Sequence, residues 1–479
     1  MTTTGSADPP MSGSPQTTDA LVDELIDRLG SDAVLTDPAD RWTYGYDNSR
    51  RQQLPAAVVM PGEHDAVVTI VQACNRHSVP LTVRGRGTGT AGAAVPAAGG
   101  IALSTERLDR IQAIDADNRV AVVQPGVCNG DLQRAAGELG FFWPPDPTSS
   151  DYCSIGGNLG CNAAGPRAVK YGTPRENTLG LRAVAGDGTS LRTGCYTTKG
   201  VVGYDFTRLL IGSEGTLAII TEATLLLTPL PPCVATMRVT YREMSDAAAA
   251  VSAIMAQSST PRALEFMDEA SIRLIRGMEQ CDLADDVGAM LIIEFDGLET
   301  TVAEGVAAIR AAASNRGMVE FRQARDAVES AALWAARKAL SPALRRIAPK
   351  KINEDVVVPV SRMAEFIDSL KRLGARHDVR IVNFGHAGNG NIHVNLLGDP
   401  DDPGELQRMH ACLADVFALV LRLGGTLSGE HGVGFEKRAY VGLEIEPGTL
   451  ALMQKVKQQF DPAGILNPGK LFPQVDGPI

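Results

Sequence analysis

Apolar and polar residues follow two alternating periods in the first half of the chain, which predicts strands and helices in turn. Runs typical of strands are "AAVVMP", "PLTVRG", "GIALST" and "RVAVVQPGV". Helical spacing is found at "TTDALVDELIDRLG", "HDAVVTIVQACNRHS" and "GDLQRAAGELG". Short apolar runs bounded by turn residues favour strands, whereas apolar spacings of three and four favour helices. We therefore expect an α/β pattern in this half.

The pattern changes after residues 228–233, "TPLPPC", which are the best linker candidate. Beyond them, strand-like "MRVTYRE" and "AMLIIEFDG" alternate with helical stretches. These predicted helices lie at 245–257, 299–316, 327–347, 361–375 and 402–424. The pattern predicts a second α+β domain with an antiparallel sheet covered on one face by helices.

Composition and charge limit the possible functions. Of the 479 residues, 44% are hydrophobic and 21% charged, which is typical of a globular protein of about two to four domains. The net charge of −11 argues against a nucleic-acid or acidic-membrane partner. Residues 1–18 lack the basic and apolar regions of a signal peptide and are predicted to be a disordered tail. Eight cysteines without a C-x-x-C pair favour reduced thiols in the cytoplasm and exclude an iron–sulfur cluster of the usual spacing.

The first chemical signal is "VRGRGTGTAGAAVP", residues 83–96, which follows a predicted strand. Its four glycines allow backbone N–H groups to surround an anion. It lacks the Gly-Lys-Ser/Thr end of a P-loop and the helix and acidic residue of a Rossmann turn. A purely structural loop remains an alternative.

A second glycine-rich region, residues 144–172, is "PPDPTSSDYCSIGGNLGCNAAGPRAVKYG", and "IGSEGTLAIIT" follows at 211–221. With these motifs the sequence resembles the FAD-binding domain of the vanillyl-alcohol-oxidase type. It is most similar to the group containing D-lactate dehydrogenase, the glycolate oxidase subunit and D-2-hydroxyglutarate dehydrogenase. The resemblance runs from about residue 20 to the end. It implies an α+β fold: a two-subdomain FAD-binding domain (PCMH/VAO-type, 19–231), then an α+β cap domain (232–479) in which about 460–479 return to the flavin.

The resemblance also assigns the FAD contacts. The loop Arg84, Gly85, Arg86, Gly87, Thr88 and Gly89 would wrap the pyrophosphate. The isoalloxazine and ribityl chain would lie against Pro145, Asp146, Thr148, Gly156, Gly157, Asn158, Asn162, Ala163 and Gly165. The adenine half would meet Ser213, Glu214, Gly215 and Ile220, and Asn467 in "FDPAGILNPGKL" would return to the flavin unless that segment is a plain turn. Because no histidine lies beside the pyrophosphate loop, the FAD is predicted to be non-covalent.

The stretch "NFGHAGNGNIHVN", residues 383–395, holds two of the seven histidines around a Gly/Asn-rich break. In an unbroken strand, His386 and His393 would point to opposite faces, so only a turn or bulge lets them converge. With Glu430 they form an open divalent-metal set. The resemblance likewise implies that His386, His393 and Glu430 bind a divalent metal, Zn or Mn, and that His431 is the catalytic base. An ordinary hairpin and a metal-free site are the alternatives.

Arg337, on a predicted helix, is a candidate for binding the substrate carboxylate through its guanidinium fork. The resemblance supports this role and assigns Asn395 to the substrate side, although Arg345 and Arg346 lie nearby in the sequence. Asn353 stands where the hydroxyglutarate branch has a substrate-binding lysine, which favours a smaller substrate.

These assignments predict an FAD- and metal-dependent D-2-hydroxy-acid dehydrogenase, with D-lactate as the expected substrate. A glycolate oxidase catalytic subunit and a D-2-hydroxyglutarate dehydrogenase are alternatives, as is a metal-binding scaffold that has lost the flavin. The resemblance implies a separate electron acceptor (a quinone, a cytochrome or an electron-transfer protein). The expected location is cytoplasmic or membrane-peripheral, and the assembly a homodimer or a complex with partner subunits.

Overall fold

The computed structural model describes residues 15–276 and 283–473. Chain packing divides them into two compact units, the first formed by residues 15–164, 173–230 and 430–473 and the second by the rest. The sequence predicts a domain boundary between residues 231 and 232, and the packing divides the chain after Leu230. The C-terminal return begins at Glu430, about thirty residues earlier than the sequence suggests.

Two sheets form the body of the first unit. The four-stranded sheet has the order β1-β2-β4-β3, and the five-stranded sheet has the order β5-β6-β10-β8-β9. The strands of the first are Val34–Leu35 (β1), Ala57–Val59 (β2), Leu81–Arg84 (β3) and Ile101–Ser104 (β4). Those of the second are Ile111–Asp115 (β5), Val120–Val123 (β6), Thr178–Ala185 (β8), Ser190–Gly194 (β9) and Ala218–Leu226 (β10). Phe141–Phe142 (β7) pairs with Thr228–Pro229 (β11).

Helices of the first unit pack against these sheets. They are Pro15–Leu29, Pro38–Trp42, His64–His77, Asn129–Gly137, Ile155–Cys161, Phe206–Leu210, Val441–Glu444 and Pro447–Phe460. The helix that begins at Pro15 includes the last four residues of the predicted tail, and residues 1–14 of that tail lie outside the described residues. One buried core joins this helix to the four-stranded sheet through Leu21, Leu25, Ile70 and Leu81.

The second unit contains one seven-stranded sheet, in the order β15-β12-β14-β13-β17-β18-β16. All of its pairings are antiparallel, as the sequence predicts. Its strands are Cys233–Tyr241 (β12), Ala263–Asp268 (β13), Ala289–Gly297 (β14), Met318–Gln323 (β15), Lys350–Val357 (β16), Arg380–His386 (β17) and Asn391–Gly398 (β18).

Helices of the second unit are Ala168–Tyr171, Met244–Ala256, Glu269–Ile275, Glu299–Ala313, Ala327–Lys338, Leu340–Ile347, Met363–His377 and Pro403–Arg422. The prediction of one helix over 327–347 is wrong, because two helices meet at Ala339. Pro342 has no N–H to donate to the carbonyl of Lys338, so the hydrogen-bond ladder is interrupted there. No helix of the described residues is long and apolar enough to cross a membrane.

Candidate active site

The two histidines converge because a short turn joins β17 to β18. Ala387–Asn389 forms a 3-10 turn, and Gly390 follows in the left-handed region with φ of 70°. This turn pairs His386 with Asn391 and Phe384 with His393. Directly opposed residues of antiparallel strands share a face, so His386 and His393 become diagonal neighbours. Their ring centroids lie 5.2 Å apart.

Each imidazole lies beside a carboxylate at the paired position of the neighbouring strand. Glu265 on β13 pairs with His386, and Asp355 on β16 pairs with His393. Oε1 of Glu265 lies 2.5 Å from Nδ1 of His386, and Oδ1 of Asp355 lies 4.0 Å from Nδ1 of His393. All four residues are buried. We call these four side chains on one side of the sheet the histidine face.

Arg337 reaches the histidine face from the helix Ala327–Lys338. Its Nε and Nη2 each lie 2.9 Å from Oε2 of Glu265, and its guanidinium lies over the Phe384 ring, 4.5 Å from the centroid. Burial would raise the pKa of Glu265, but His386 and Arg337 outweigh this and hold the pKa below its usual value. Part of the arginine fork is therefore already bound within the protein.

Asn395, predicted to face substrate, is fully buried. Its amide nitrogen donates to the carbonyls of Val382 and His393, each at 3.0 Å. Its Oδ1 has no hydrogen-bond partner among the described residues. Asn395 thus lies on the same side of β18 as His393, with its donors bound to backbone.

Glu430 and His431 follow Gly429, where the chain passes from the second unit to the first. The N–H of Gly429 donates to Oδ2 of Asp355 at 2.9 Å. Glu430 is therefore adjacent in sequence to Gly429, which is bound to Asp355 of the histidine face.

The donors of the histidine face suit a divalent ion. Imidazole nitrogen and carboxylate oxygen are common ligands of Zn and Mn, and a carboxylate behind a histidine is a frequent support for a metal ligand. Sequence reasoning missed Glu265 and Asp355. Asp355 could have been suspected from its alternation with Asn353, whereas Glu265 lies 121 residues before His386 and carries no local signal.

The first unit contains a cavity that is partly open to solvent, and we call it the glycine-rich cavity. Seven of the predicted cofactor residues line it: Gly85, Gly156, Gly157, Ser213, Glu214, Gly215 and Ile220. Residues that the sequence did not single out also line it, namely Val83, Ala93, Ala94, Thr105, Pro125, Gly160, Cys161, Leu210 and Ala218.

Two of these glycines have contrasting surroundings, and only Gly156 has a steric reason within the protein. A Cβ at Gly156 would lie 2.5 Å from the side chain of Pro125. A Cβ at Gly160 would meet no protein atom within 4 Å, so this glycine leaves open space along the wall. Such exposed backbone and apolar wall suit a large planar cofactor with a phosphate chain.

The other thirteen predicted cofactor residues are not among the lining residues. This group comprises Arg84, Arg86, Gly87, Thr88, Gly89, Pro145, Asp146, Thr148, Asn158, Asn162, Ala163, Gly165 and Asn467. Arg84 donates to the backbone carbonyls of Tyr46 and Thr43. Asn158 accepts a 3.0 Å bond from Asn129, and Asp146 N donates to Ala164 O at 2.9 Å.

The C-terminal segment is bound to two residues that line the cavity, Ala93 and Glu214. Asn467 donates to the carbonyl oxygens of Ala93 and Glu214, at 3.0 and 2.7 Å. The Glu214 carboxylate accepts from the N–H groups of Val433 and Gly434, at 2.5 and 2.8 Å. Burial raises the pKa of Glu214. The return of Asn467 toward this region is therefore part of the structure of the first unit.

Comparison with known families identifies the chain. The family description "FAD linked oxidases, C-terminal domain" matches residues 230–471, and "FAD binding domain" matches residues 55–194. The chain is a member of the FAD-linked oxidase family. This confirms the predicted family and identifies the chain as an FAD-dependent oxidoreductase.

Three relatives show how much of the chain the similarity spans. Glycolate oxidase subunit GlcD of Bacillus subtilis is 38% identical, covering 94% of this chain and 96% of its own. D-lactate dehydrogenase of Anaerostipes hadrus is 34% identical, covering 87% and 89%. D-2-hydroxyglutarate dehydrogenase of Xanthomonas citri pv. viticola is 34% identical, covering 96% and 98%.

Solved structures confirm the fold of this FAD-linked oxidase. p-Cresol methylhydroxylase with substrate bound has a TM-score of 0.80 at 18% identity, covering 97% of this chain and 98% of its own. At that identity the likeness establishes the fold alone, and it agrees with the predicted PCMH/VAO-type architecture.

Proposed function

We propose that this FAD-linked oxidase oxidises a D-2-hydroxy acid, with D-lactate as the preferred substrate, to the 2-oxo acid. The observation that carries the proposal is the histidine face, where two converging imidazoles are each backed by a carboxylate and Arg337 is held beside them. Such a set suits a substrate that carries a hydroxyl beside a carboxylate.

Residues of the chain would divide the work. His386, His393 and Glu430 would hold a divalent ion, Zn or Mn, and the free edge of Arg337 would bind the substrate carboxylate. Bound metal would lower the pKa of the hydroxyl, and bound FAD would supply the hydride acceptor. His431 would accept the hydroxyl proton, because imidazole is the side chain most often used as a general base near neutral pH.

FAD would occupy the glycine-rich cavity without a covalent bond. Support comes from the open wall at Gly160 and from the seven predicted residues that line the cavity. Acid precipitation of the purified protein should release all of the flavin into the supernatant. Flavin that stays with the precipitate would contradict non-covalent binding.

The small tail of D-lactate fits the residues beside the histidine face. Asn353 pairs with Asn395, and alternation along β16 puts Lys351, Asn353 and Asp355 on one side of the strand. Asn353 cannot neutralise a second carboxylate. Lys351, two residues before Asn353, carries a positive charge that would suit a second carboxylate. D-2-hydroxyglutarate is therefore the alternative substrate.

A panel of substrates tests the proposal. Reduction of the flavin should be measured anaerobically with D-lactate, L-lactate, glycolate and D-2-hydroxyglutarate, and then with an artificial electron acceptor in steady state. We expect the highest kcat/KM for D-lactate and little reaction with L-lactate. Preference for D-2-hydroxyglutarate would assign Lys351 to the tail, and no flavin reduction by any of them would refute the proposal.

A catalytic subunit of a glycolate oxidase is the second candidate. The similarity to GlcD, which is named as a subunit, extends over 96% of that protein. A preference for glycolate in the same panel, with turnover that requires partner subunits, would favour it. In either case electrons would pass to a separate acceptor, and the protein would act in the cytoplasm or at the membrane surface.

A further inference from the structure

Glu265 is a buried carboxylate that joins two functional side chains. It lies on β13 with 1% of its surface exposed. One oxygen, Oε1, contacts Nδ1 of His386, and the other, Oε2, accepts from Nε and Nη2 of Arg337. These partners are 121 and 72 residues away along the chain. The strand pairing and the helix Ala327–Lys338 therefore bring both to a single acidic residue.

The contact with His386 determines which ring nitrogen is available. An ionised carboxylate can only accept hydrogen bonds, and its pairing with Arg337 favours the ionised form. Nδ1 of His386 then carries the hydrogen, and the ring would bind a metal through Nε2. A carboxylate behind the histidine also fixes the plane of the ring.

The contact with Arg337 fixes the direction of the guanidinium. Two of its nitrogens are bound to Oε2 of Glu265, and its flat face lies on Phe384. Both Nη1 hydrogens and one on Nη2 remain outside this contact. Arg337 thus presents a predetermined edge, which reduces the entropy lost when a carboxylate binds.

We infer that Glu265 is a positioning residue that aligns the metal ligand His386 and the carboxylate-binding Arg337 at the same time. The inference rests on the proposed function. A single change at Glu265 should therefore weaken both metal binding and substrate binding, although Glu265 would touch neither.

Glu265→Gln is the direct test, because glutamine keeps the shape but offers only one acceptor oxygen. Its amide group must face either Arg337 or the Nδ1 hydrogen of His386, so one contact is lost. We expect the Kd for Zn²⁺, measured on metal-free, FAD-loaded protein, to rise about 10–100-fold. We also expect KM for the 2-hydroxy acid to rise several-fold, with flavin content unchanged.

Glu294→Gln is the matched control. Glu294 is also a largely buried carboxylate of this sheet, and it binds Trp334 of the same helix and Arg262. It has no contact with His386 or Arg337 among those that the structure describes. Loss of general sheet stability would affect both variants, whereas positioning would affect only the change at Glu265.

Glu265→Asp keeps the charge but shortens the side chain by one methylene. If the glutamine variant does not fold, we expect the aspartate variant to lose at least about fivefold in either Zn²⁺ affinity or KM, because the shorter carboxylate cannot span both partners. Values equal to wild type in whichever variant folds, or equal losses in Glu294→Gln, would overturn the inference. Absence of Zn²⁺ binding or 2-hydroxy-acid oxidation in the wild type would instead refute the proposed function.

Discussion

The glycine-rich cavity is formed mainly by backbone and small side chains, whereas the histidine face is formed by long polar side chains. Cavity walls are largely backbone and small side chains, such as Gly156, Gly157, Gly160 and Gly215. The histidine face consists of long polar side chains that strand pairing aligns, with His386 opposite Glu265 and His393 opposite Asp355. The cavity therefore depends on the absence of large side chains, whereas the histidine face depends on the functional groups that its side chains carry.

This difference implies that a substitution in one region should leave the binding function of the other region intact. A change of side chain on the histidine face should remove chemistry and leave the flavin bound. Added bulk in the cavity should remove the flavin and leave the metal ligands in place. The following substitutions test that separation.

The largest effect is expected from His386→Ala. Removing one imidazole should abolish stoichiometric metal binding and lower kcat/KM by about 10²–10⁴, since a metal ligand contributes several kcal/mol to the transition state. Absorbance at the flavin band should be unchanged. Metal analysis alongside the flavin spectrum is the measurement, and loss of flavin together with metal would break the separation.

His431→Ala should slow flavin reduction by about 10²–10⁴, because a positioned general base typically contributes that much. Flavin and metal contents should remain those of the wild type, and KM should change little. Stopped-flow reduction at saturating substrate measures the rate. A rate within a few-fold of wild type would assign the base to another residue.

Gly160→Ala should act on the cavity alone. The added methyl meets no protein atom within 4 Å, so the fold should be retained while the methyl occupies space along the wall. We expect FAD affinity to fall about tenfold, which corresponds to about 1.4 kcal/mol. Gly156→Ala is the contrasting variant, since its methyl overlaps Pro125 and should lower Tm as well. Unchanged FAD affinity in Gly160→Ala would place the cofactor elsewhere.

The smallest effect is expected from Lys470→Met. Burial lowers the pKa of Lys470 to about 7, whereas the unfolded chain keeps an ordinary value near 10.5. Between these two pKa values the unfolded state binds more protons than the folded state, so the free energy of unfolding rises with pH. Below about pH 7, Lys470 is charged in both states, and the full cost of burying the charge lowers the stability of the fold. From pH 7 to 9, the wild-type Tm should rise by about 2–4 °C relative to the variant. Lys455→Met, at an exposed lysine, should show no such difference.

The sequence predicted the cavity more completely than the histidine face, and the reason is physical. Clustered glycines predict close backbone approach within a short stretch, and Gly85, Gly156 and Gly215, which the resemblance assigns to the cofactor, line the cavity. Glu265 acquires its role only through pairing with a strand 121 residues away, which no local pattern encodes. The turn at 387–391 could be predicted because only a break lets two histidines seven residues apart meet.

Secondary structure was predicted well where periodicity was long, as in His64–His77, Met244–Ala256 and Ala289–Gly297. The prediction was wrong where one proline interrupted a helical pattern, at residues 327–347. Residues from Glu430 onward belong to the first unit, and there the Glu214 carboxylate accepts from the backbone of Val433 and Gly434.

That return has a consequence for the order of biosynthesis. Leu81, on an edge strand of the four-stranded sheet, exchanges backbone hydrogen bonds with Ile465 and Asn467, and Leu466 is buried in the same core. These partners emerge from the ribosome almost four hundred residues after the strand they complete. The first unit therefore cannot reach its final packing until the segment containing Ile465 has been synthesised, which happens after the whole of the second unit. A chain that lacks residues 465–467 would leave that sheet edge open, and firm binding of the cofactor is therefore expected only after this late segment has packed against Leu81.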